Sequence, residues 1–254
     1  MAKEDLTAIF MVISIFALVI SLIALLPQDY NALVNLPDLT QYENEDFVDL
    51  EHGLCLWLPF DNSPLDKSGY RLDGTLTNTT YQIGRFYKDI ACDGNDWVEG
   101  TNNQLLDFVT NNFTITLWYK PYSVSVGTGY MLYTRGKYNL DGMQFYTSGP
   151  SLLFTTSQST ATQISSSSGG LSNGTWNFLT IKRVGSSIRI LNNLTDITNV
   201  AGNHINPLTS VRTWKIGVYD NKADMWLNGE IDEVRIYNRL LTNYEIQKLY
   251  TLNQ

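Results

Sequence analysis

Three carboxylates lie close together near the C-terminus, in Gly229-Glu230-Ile231-Asp232-Glu233-Val234. Two carboxyl groups about 5 Å apart are what retaining glycoside hydrolysis needs, one as nucleophile and one as acid and base. The run continues through Val234, Ile236 and Tyr237, which favour extended backbone, so it reads as a strand. On a strand, side chains at i and i+2 share a face. Glu230 and Asp232 meet that condition. Strict alternation puts Glu233 on the opposite face, and position 234 is Val. Three carboxylates are therefore not expected to line one cleft, and no catalytic residue is assigned. The pair Glu230 and Asp232 keeps a two-carboxylate arrangement open. The two histidines, His52 and His204, sit in no nucleophile motif. No G-x-x-x-x-G-K-S/T phosphate loop and no EF-hand calcium loop occurs.

Other residue types suggest binding or modification rather than catalysis. Asn78, Asn112, Asn173 and Asn193 each begin an N-x-T triplet, the acceptor pattern for N-glycosylation in an exported chain. Tyr122, Tyr130, Tyr133, Tyr138, Tyr146 and Trp226 could stack on sugar rings, although aromatics in a β-rich chain more often fill the core. The cysteines are two, Cys55 and Cys92, too few for a cysteine-only metal site.

The elements that must position these residues fall into three parts. Leu6–Leu26 is 21 residues without a charge, and about 20 span a bilayer core. No small-x-small cleavage pattern precedes Pro27, so residues 1–26 are expected to be an uncleaved transmembrane signal-anchor. Lys3 precedes the span and the next basic residue is Lys67, which predicts a cytoplasmic N-terminus and an exterior remainder. Thr7, Ser14, Ala17, Ser21 and Ala24 form a stripe of small residues on this helix. Such a stripe lets helices approach closely in lipid and predicts a self-associating anchor. Residues 27–51 carry seven acids, no base and two prolines, and read as an acidic stalk.

The remaining part, residues 52–254, carries 16 basic and 16 acidic residues, so the chain's formal charge of −8 resides in the first 51 residues. A neutral domain with an acidic lead argues against a nucleic-acid partner, which requires a basic surface. Leu54, Leu56 and Leu58 alternating with Cys55 and Trp57 predict a strand buried on both faces. Further strands are predicted at 95–99, 112–120, 130–135, 142–147, 151–156, 175–183, 187–191, 213–219 and 225–237, with a hairpin in Thr155–Ser172. Thr242 with Glu245 three residues on predicts a capping box opening a short final helix, with Leu241 and Ile246 as its staple. Many short strands punctuated by turns predict an all-β, two-sheet sandwich.

Six ordered segments resemble the laminin-G-like domains of the concanavalin A-like lectin/glucanase superfamily. They are Gly53-Leu54-Cys55-Leu56-Trp57-Leu58-Pro59-Phe60-Asp61; Asp66-Lys67-Ser68-Gly69 to Gly74-Thr75-Leu76; Cys92-Asp93-Gly94 with Trp97-Val98; Phe113-Thr114-Ile115-Thr116-Leu117-Trp118-Tyr119-Lys120-Pro121; Gly174-Thr175-Trp176-Asn177-Phe178; and Lys215-Ile216-Gly217 leading to Gly229–Ile246. The resemblance implies an antiparallel jelly roll over about four fifths of the chain, with the first strand beside the last. Related glucanases carry E-x-D-x-E, which Val234 breaks. The family also suggests a structural calcium, the only cofactor expected here, on Asp61, Asp66 and Asp232. The alternative is that the first two are turn residues and the third a hydrogen-bonded core carboxylate. Both cysteines fall in segments that the family places in the core, which implies a Cys55–Cys92 disulfide in an oxidising compartment, against two buried free thiols. The expected function is a surface-displayed, membrane-anchored module that recognises a glycan or a partner protein. The alternative is a structural subunit of an envelope, coat or filament assembled through the N-terminal helix.

Overall fold

Phe113–Pro121 shows how alternation builds the domain. Phe113, Ile115, Leu117 and Tyr119 enter one buried cluster, while Trp118 enters a second cluster on the other face. A strand with apolar residues on both faces must be covered twice, once by a facing sheet and once by something else. The computed structural model describes residues 48–109, 111–158, 161–204 and 206–252.

The strands run β1 (Leu54–Leu58), β2 (Thr75–Thr77), β3 (Thr80–Ile83), β4 (Lys88–Asp93), β5 (Trp97–Glu99), β6 (Phe113–Pro121), β7 (Met131–Lys137) and β8 (Asp141–Ser148). They continue with β9 (Ser151–Gln158), β10 (Ala161–Gly170), β11 (Asn177–Val184), β12 (Ser187–Asn192), β13 (Thr195–Asp196), β14 (Thr198–Val200), β15 (Lys215–Ile216) and β16 (Asn228–Tyr237), and the helix α1 (Asn243–Thr251) closes the domain. Sheet one has the order β13-β12-β11-β6-β16-β4-β3, with β1 also paired to β16; sheet two has the order β14-β10-β9-β8-β7-β15-β5-β2. Every pairing in them is antiparallel. This is the expected sandwich, and the first strand lies against the last through Leu56↔Ile236 and Leu58↔Val234.

Between the sheets, Ile115, Leu117 and Ile231 of sheet one join Leu132, Phe145 and Phe154 of sheet two in one core. The hairpin expected in 155–172 forms from β9 and β10. The pair β3 and β4 went unforeseen, because half-exposed Thr80-Tyr81-Gln82-Ile83 at a sheet edge lacks an apolar alternation and the largely buried β4 mixes Lys88, Asp89 and Asp93 with Ile90 and Cys92. The strand expected at 213–219 shortens to Lys215–Ile216, since Gly217 turns at φ 89°. Thr242 and Glu245 form the expected reciprocal capping box of α1, and Leu241 and Ile246 meet in the second cluster.

The expected disulfide is not formed: Cys55 and Cys92 are separate buried thiols. Both strands pair with the same edge of β16, but at different stations. Cys92 stands opposite Gly229, while the neighbours of Cys55 stand opposite Ile236 and Tyr237. Seven residues of strand separate them by roughly 20 Å, whereas a disulfide needs Cα atoms within about 7 Å. The anchor helix 1–26 with Thr7, Ser14, Ala17, Ser21 and Ala24, and all but the last residues of the stalk, lie outside the described residues. Among the described residues, no helix is long and apolar enough to cross a membrane.

Candidate functional site

The outward face of sheet one carries the acidic run. Glu230 and Asp232 do share a face, but Glu233 joins them, contrary to strict alternation. A bulge interrupts the pairing of β16 with β6 between Asp232 and Arg235, and Glu233 takes φ 53°. The extra residue keeps Val234 and Ile236 in the core while Glu233 bonds outward-facing partners. Asp89 of β4 is next to this group and is fully buried.

Each of these carboxyls is enclosed. Glu230 pairs with Lys120 at 3.0 Å. Asp232 accepts the backbone N–H groups of Arg85 at 3.2 Å and Phe86 at 3.4 Å. Glu233 accepts from the indole of Trp57 at 2.8 Å and from Arg235 at 2.6 Å. Burial, helped by the charge of Glu233, pushes the Asp232 carboxyl up to about 8. Burial and then the Glu230 charge push Asp89 up to about 7. Over the same sheet, α1 lays Tyr250 on Trp118 (ring centroids 5.5 Å apart, planes at 19°), and Phe86 meets Trp118 edge-on at 5.8 Å. The acids themselves are covered by their own chain and line none of three clefts, of which one of about 350 Å³ between α1 and β11–β13 and one of about 300 Å³ over β3 and β4 open beside them on this face.

The outward face of sheet two is different. Met143 and Phe145 of β8 point into the core, so Gln144 and Tyr146 point outward. They and Met131 of β7 floor a cleft of about 340 Å³, walled by Tyr138, Tyr219, Asp224 and Met225. Such a volume is at the lower end for a small-ligand site, and an apolar, aromatic lining with few polar groups is the usual composition. Tyr219 and Asp224 come from the loop after β15, which is pinned on both sides. Its Met225 C=O accepts from Met131 N–H at 2.9 Å, and its Tyr219 hydroxyl accepts from Tyr138 N–H at 2.8 Å. Arg212 ties the β7–β8 turn to the same loop, donating to Asp141 at 3.2 Å and Asp220 at 2.6 Å.

Gln144 is the telling residue of this cleft. It is 1% exposed, and its Oε1 accepts from the hydroxyl of Thr155. Its Nε2 has no hydrogen-bond partner. A buried amide donor without a partner costs about 1–3 kcal/mol, which a ligand acceptor can repay. Burial, followed by the neighbouring Tyr138 and Tyr219, pushes the Tyr146 phenol up to about 12, so it stays a protonated donor.

The sequence-derived candidates therefore divide. Tyr138 and Tyr146 line the cleft, while Tyr133 is fully buried and Tyr130 packs on the core. Trp226 tilts against Trp97 at 5.6 Å. Tyr122 stands apart with Gln82 in a smaller cleft of about 300 Å³ on the β3–β4 side. Tyr219, Gln144 and Asp224 were missed, since only the fold brings the 219–225 loop onto β8. The calcium set does not assemble: among the described residues no three His, Cys, Asp or Glu side chains could hold a metal ion. Asp66 accepts the N–H groups of Trp57, Ser68 and Leu72, the role of a turn residue. Asp61 accepts from Lys88 N–H. The triplet residues Asn78, Asn112, Asn173 and Asn193 are all exposed.

Residues 93–247 match the laminin-G family model described as "Concanavalin A-like lectin/glucanases superfamily". No curated protein matches the chain. Among solved structures, domain 4 of the arabinanase AbnA from Geobacillus stearothermophilus, in complex with arabinotriose, is 20% identical with a TM-score of 0.57, covering 78% of this chain and 98% of that one. The binding domain of botulinum neurotoxin DC in complex with rat synaptotagmin II is 18% identical with a TM-score of 0.62, and the same domain with SialylT is 18% identical at 0.61. Each covers 81% of this chain, which spans about half (53%) of the toxin domain. At these identities the likeness is one of fold.

Proposed function

The chain belongs to the concanavalin A-like lectin/glucanase superfamily, and from that premise we propose that it is a recognition module holding a saccharide in the tyrosine-lined cleft on sheet two. The observation that carries this reading is a cleft lined by Tyr138, Tyr146 and Tyr219 above Gln144, whose buried Nε2 has no hydrogen-bond partner. Aromatic faces suit the C–H surfaces of a sugar ring, and fixed polar groups suit its hydroxyls. Relatives in fold support the class of ligand: one was solved with arabinotriose and another with SialylT. Fold alone would be a weak warrant, so the site bears the argument. The uncharged segment Leu6–Leu26 supports display of this module from a membrane with the domain outside.

The reading is tested by glycan-array binding of the full chain in detergent, repeated with Tyr146→Ala. We expect specific saccharide binding that falls at least roughly tenfold in the variant, as for loss of a buried aromatic anchor. Equal binding by a folded variant would place recognition elsewhere. Reading the chain as an assembly subunit rests on the stripe Thr7, Ser14, Ala17, Ser21 and Ala24. Crosslinking of Ala17→Leu with Ser21→Leu against Ile20→Leu separates it, since the double variant should lose oligomers only if the stripe packs helices.

A further inference from the structure

We propose that the cleft on sheet two selects neutral saccharides and rejects those ending in an acidic sugar. The inference rests on the reading that this cleft holds a saccharide, and adds its charge class. The lining contains a single formal charge, the carboxylate of Asp224, and no cation. Three cations on the segments before and after β15 are already engaged. Arg212 is shared between two carboxylates, Asp141 and Asp220. Lys215 is 3% exposed and held by Asp220, Glu99 and Thr213. Lys222, on the same loop as Asp224, pairs with Glu99 at 2.6 Å and lies over the Trp97 ring. Around the cleft, Asp141 and Asp220 are thus paired with Arg212 and Lys215, while Asp224 has no ion pair among the described residues.

A sialic or uronic acid carboxylate placed here would meet like charge with no counter-ion, in a half-enclosed site where water screens poorly. Rejection of a wrong ligand by an unpaired or repelled charge is a recognised route to specificity. A neutral sugar meets no such penalty, and the donors and acceptors match its hydroxyls. The Gln144 amide, just beneath the lining, has N–H groups with no other acceptor. The Tyr219 oxygen already accepts from Tyr138 N–H, which leaves its own proton to donate. Asp224 accepts from Asn221 at one oxygen and keeps the other for a hydroxyl. Met131 and Met225 give the ring's apolar face a soft, adaptable contact.

The test uses the full chain in detergent and immobilised oligosaccharides in matched pairs, each pair a neutral glycan and the same glycan capped with sialic acid or a hexuronate. Neutral members should bind at least roughly tenfold more tightly than their acid-capped counterparts. Asp224→Asn should narrow that gap by improving acid-capped binding. Gln144→Leu, made together with Thr155→Val so that no buried hydroxyl is left without its acceptor, should weaken neutral binding by roughly tenfold. Acid-capped glycans bound as well as the neutral ones, with both lost in Tyr146→Ala, would overturn the charge selection while leaving the saccharide reading standing. An Asp224→Asn gap equal to that of the parent would also overturn it. Binding of no saccharide in either set would remove the saccharide reading, and this inference with it.

Discussion

The two outward faces of the sandwich begin from the same strand alternation and end in opposite states. On sheet one, β16 presents Glu230, Asp232, Glu233, Arg235 and Tyr237, which read in sequence as a chemical site. On sheet two, β8 presents the uncharged Gln144 and Tyr146 to the cleft. Yet the acids of the charged face are sealed in, because α1 and the segment around Phe86 lie across them and each finds an internal partner or stays protonated. The quieter face is left open, with a loop at its rim and an amide Nε2 without a partner beneath its floor. Buried charge under a lid is architecture. A buried donor at the bottom of an open cleft is an offer to a ligand.

The sharpest way to break this contrast is to remove the lid's anchor. Trp118 is 2% exposed and packs against Phe86, Phe178 and Tyr250. Trp118→Ala should destabilise the domain by about 3–5 kcal/mol in urea unfolding, as for large-to-small core changes. A loss below about 1 kcal/mol would mean that α1 does not hold the face shut.

Next in size is the pH dependence of the sealed acids. Asp89 and Asp232 keep their protons in the folded chain up to about 7 and 8, but lose them near 4 when unfolded. The folded state therefore binds more protons across that window, and stability falls as pH rises through it. His204 works the other way below about 6.5, because burial pulls its folded value down to about 4. Between about pH 6.5 and 8 the carboxyls dominate. The Lys120 charge beside Asp89 opposes this shift without reversing it, so the Asp89 contribution declines across the whole window. Asp89→Asn should raise thermal stability at pH 8 more than at pH 4 and flatten the profile. An unchanged slope would show that Asp89 is ionised and paired in the folded chain.

A smaller effect sharpens the other face. Tyr138 is 43% exposed, so Tyr138→Ala should cost no more than about 0.5 kcal/mol of stability while weakening saccharide binding. A matching loss of both would make Tyr138 a packing residue rather than a contact. The smallest effect is expected at the thiols. Burial drives both above their ordinary values, Cys55 to about 11, and neither reaches the other. Reductant should leave the melting temperature unchanged, and labelling should occur only after unfolding. A reductant-sensitive midpoint would restore the disulfide.

Much of the fold was legible because it is local. Phe113–Pro121 and Leu54–Leu58 declare themselves by apolar alternation, and Thr242 with Glu245 declares the last helix by capping chemistry. The site was only half legible. Tyr138 and Tyr146 could be named as aromatics available for stacking, but so could Tyr133, which the core absorbs completely. Position in the strand register decides between them, and register is not printed in residue type.

The sequence by itself determined the sandwich, the neutral charge of residues 52–254 and the identity of the closing strand and helix, since periodicity and caps act over a few residues. Only the tertiary structure decided three other things. The bulge at Glu233 turned a third carboxylate onto a face where alternation forbids it. The antiparallel edge of β16 set Cys55 and Cys92 at distant stations. The 219–225 loop brought Tyr219 and Asp224 to Gln144 across 75 or more residues of chain. Each depends on which strand lies beside which, and that is fixed by how the whole set of faces is buried at once, not by any one segment.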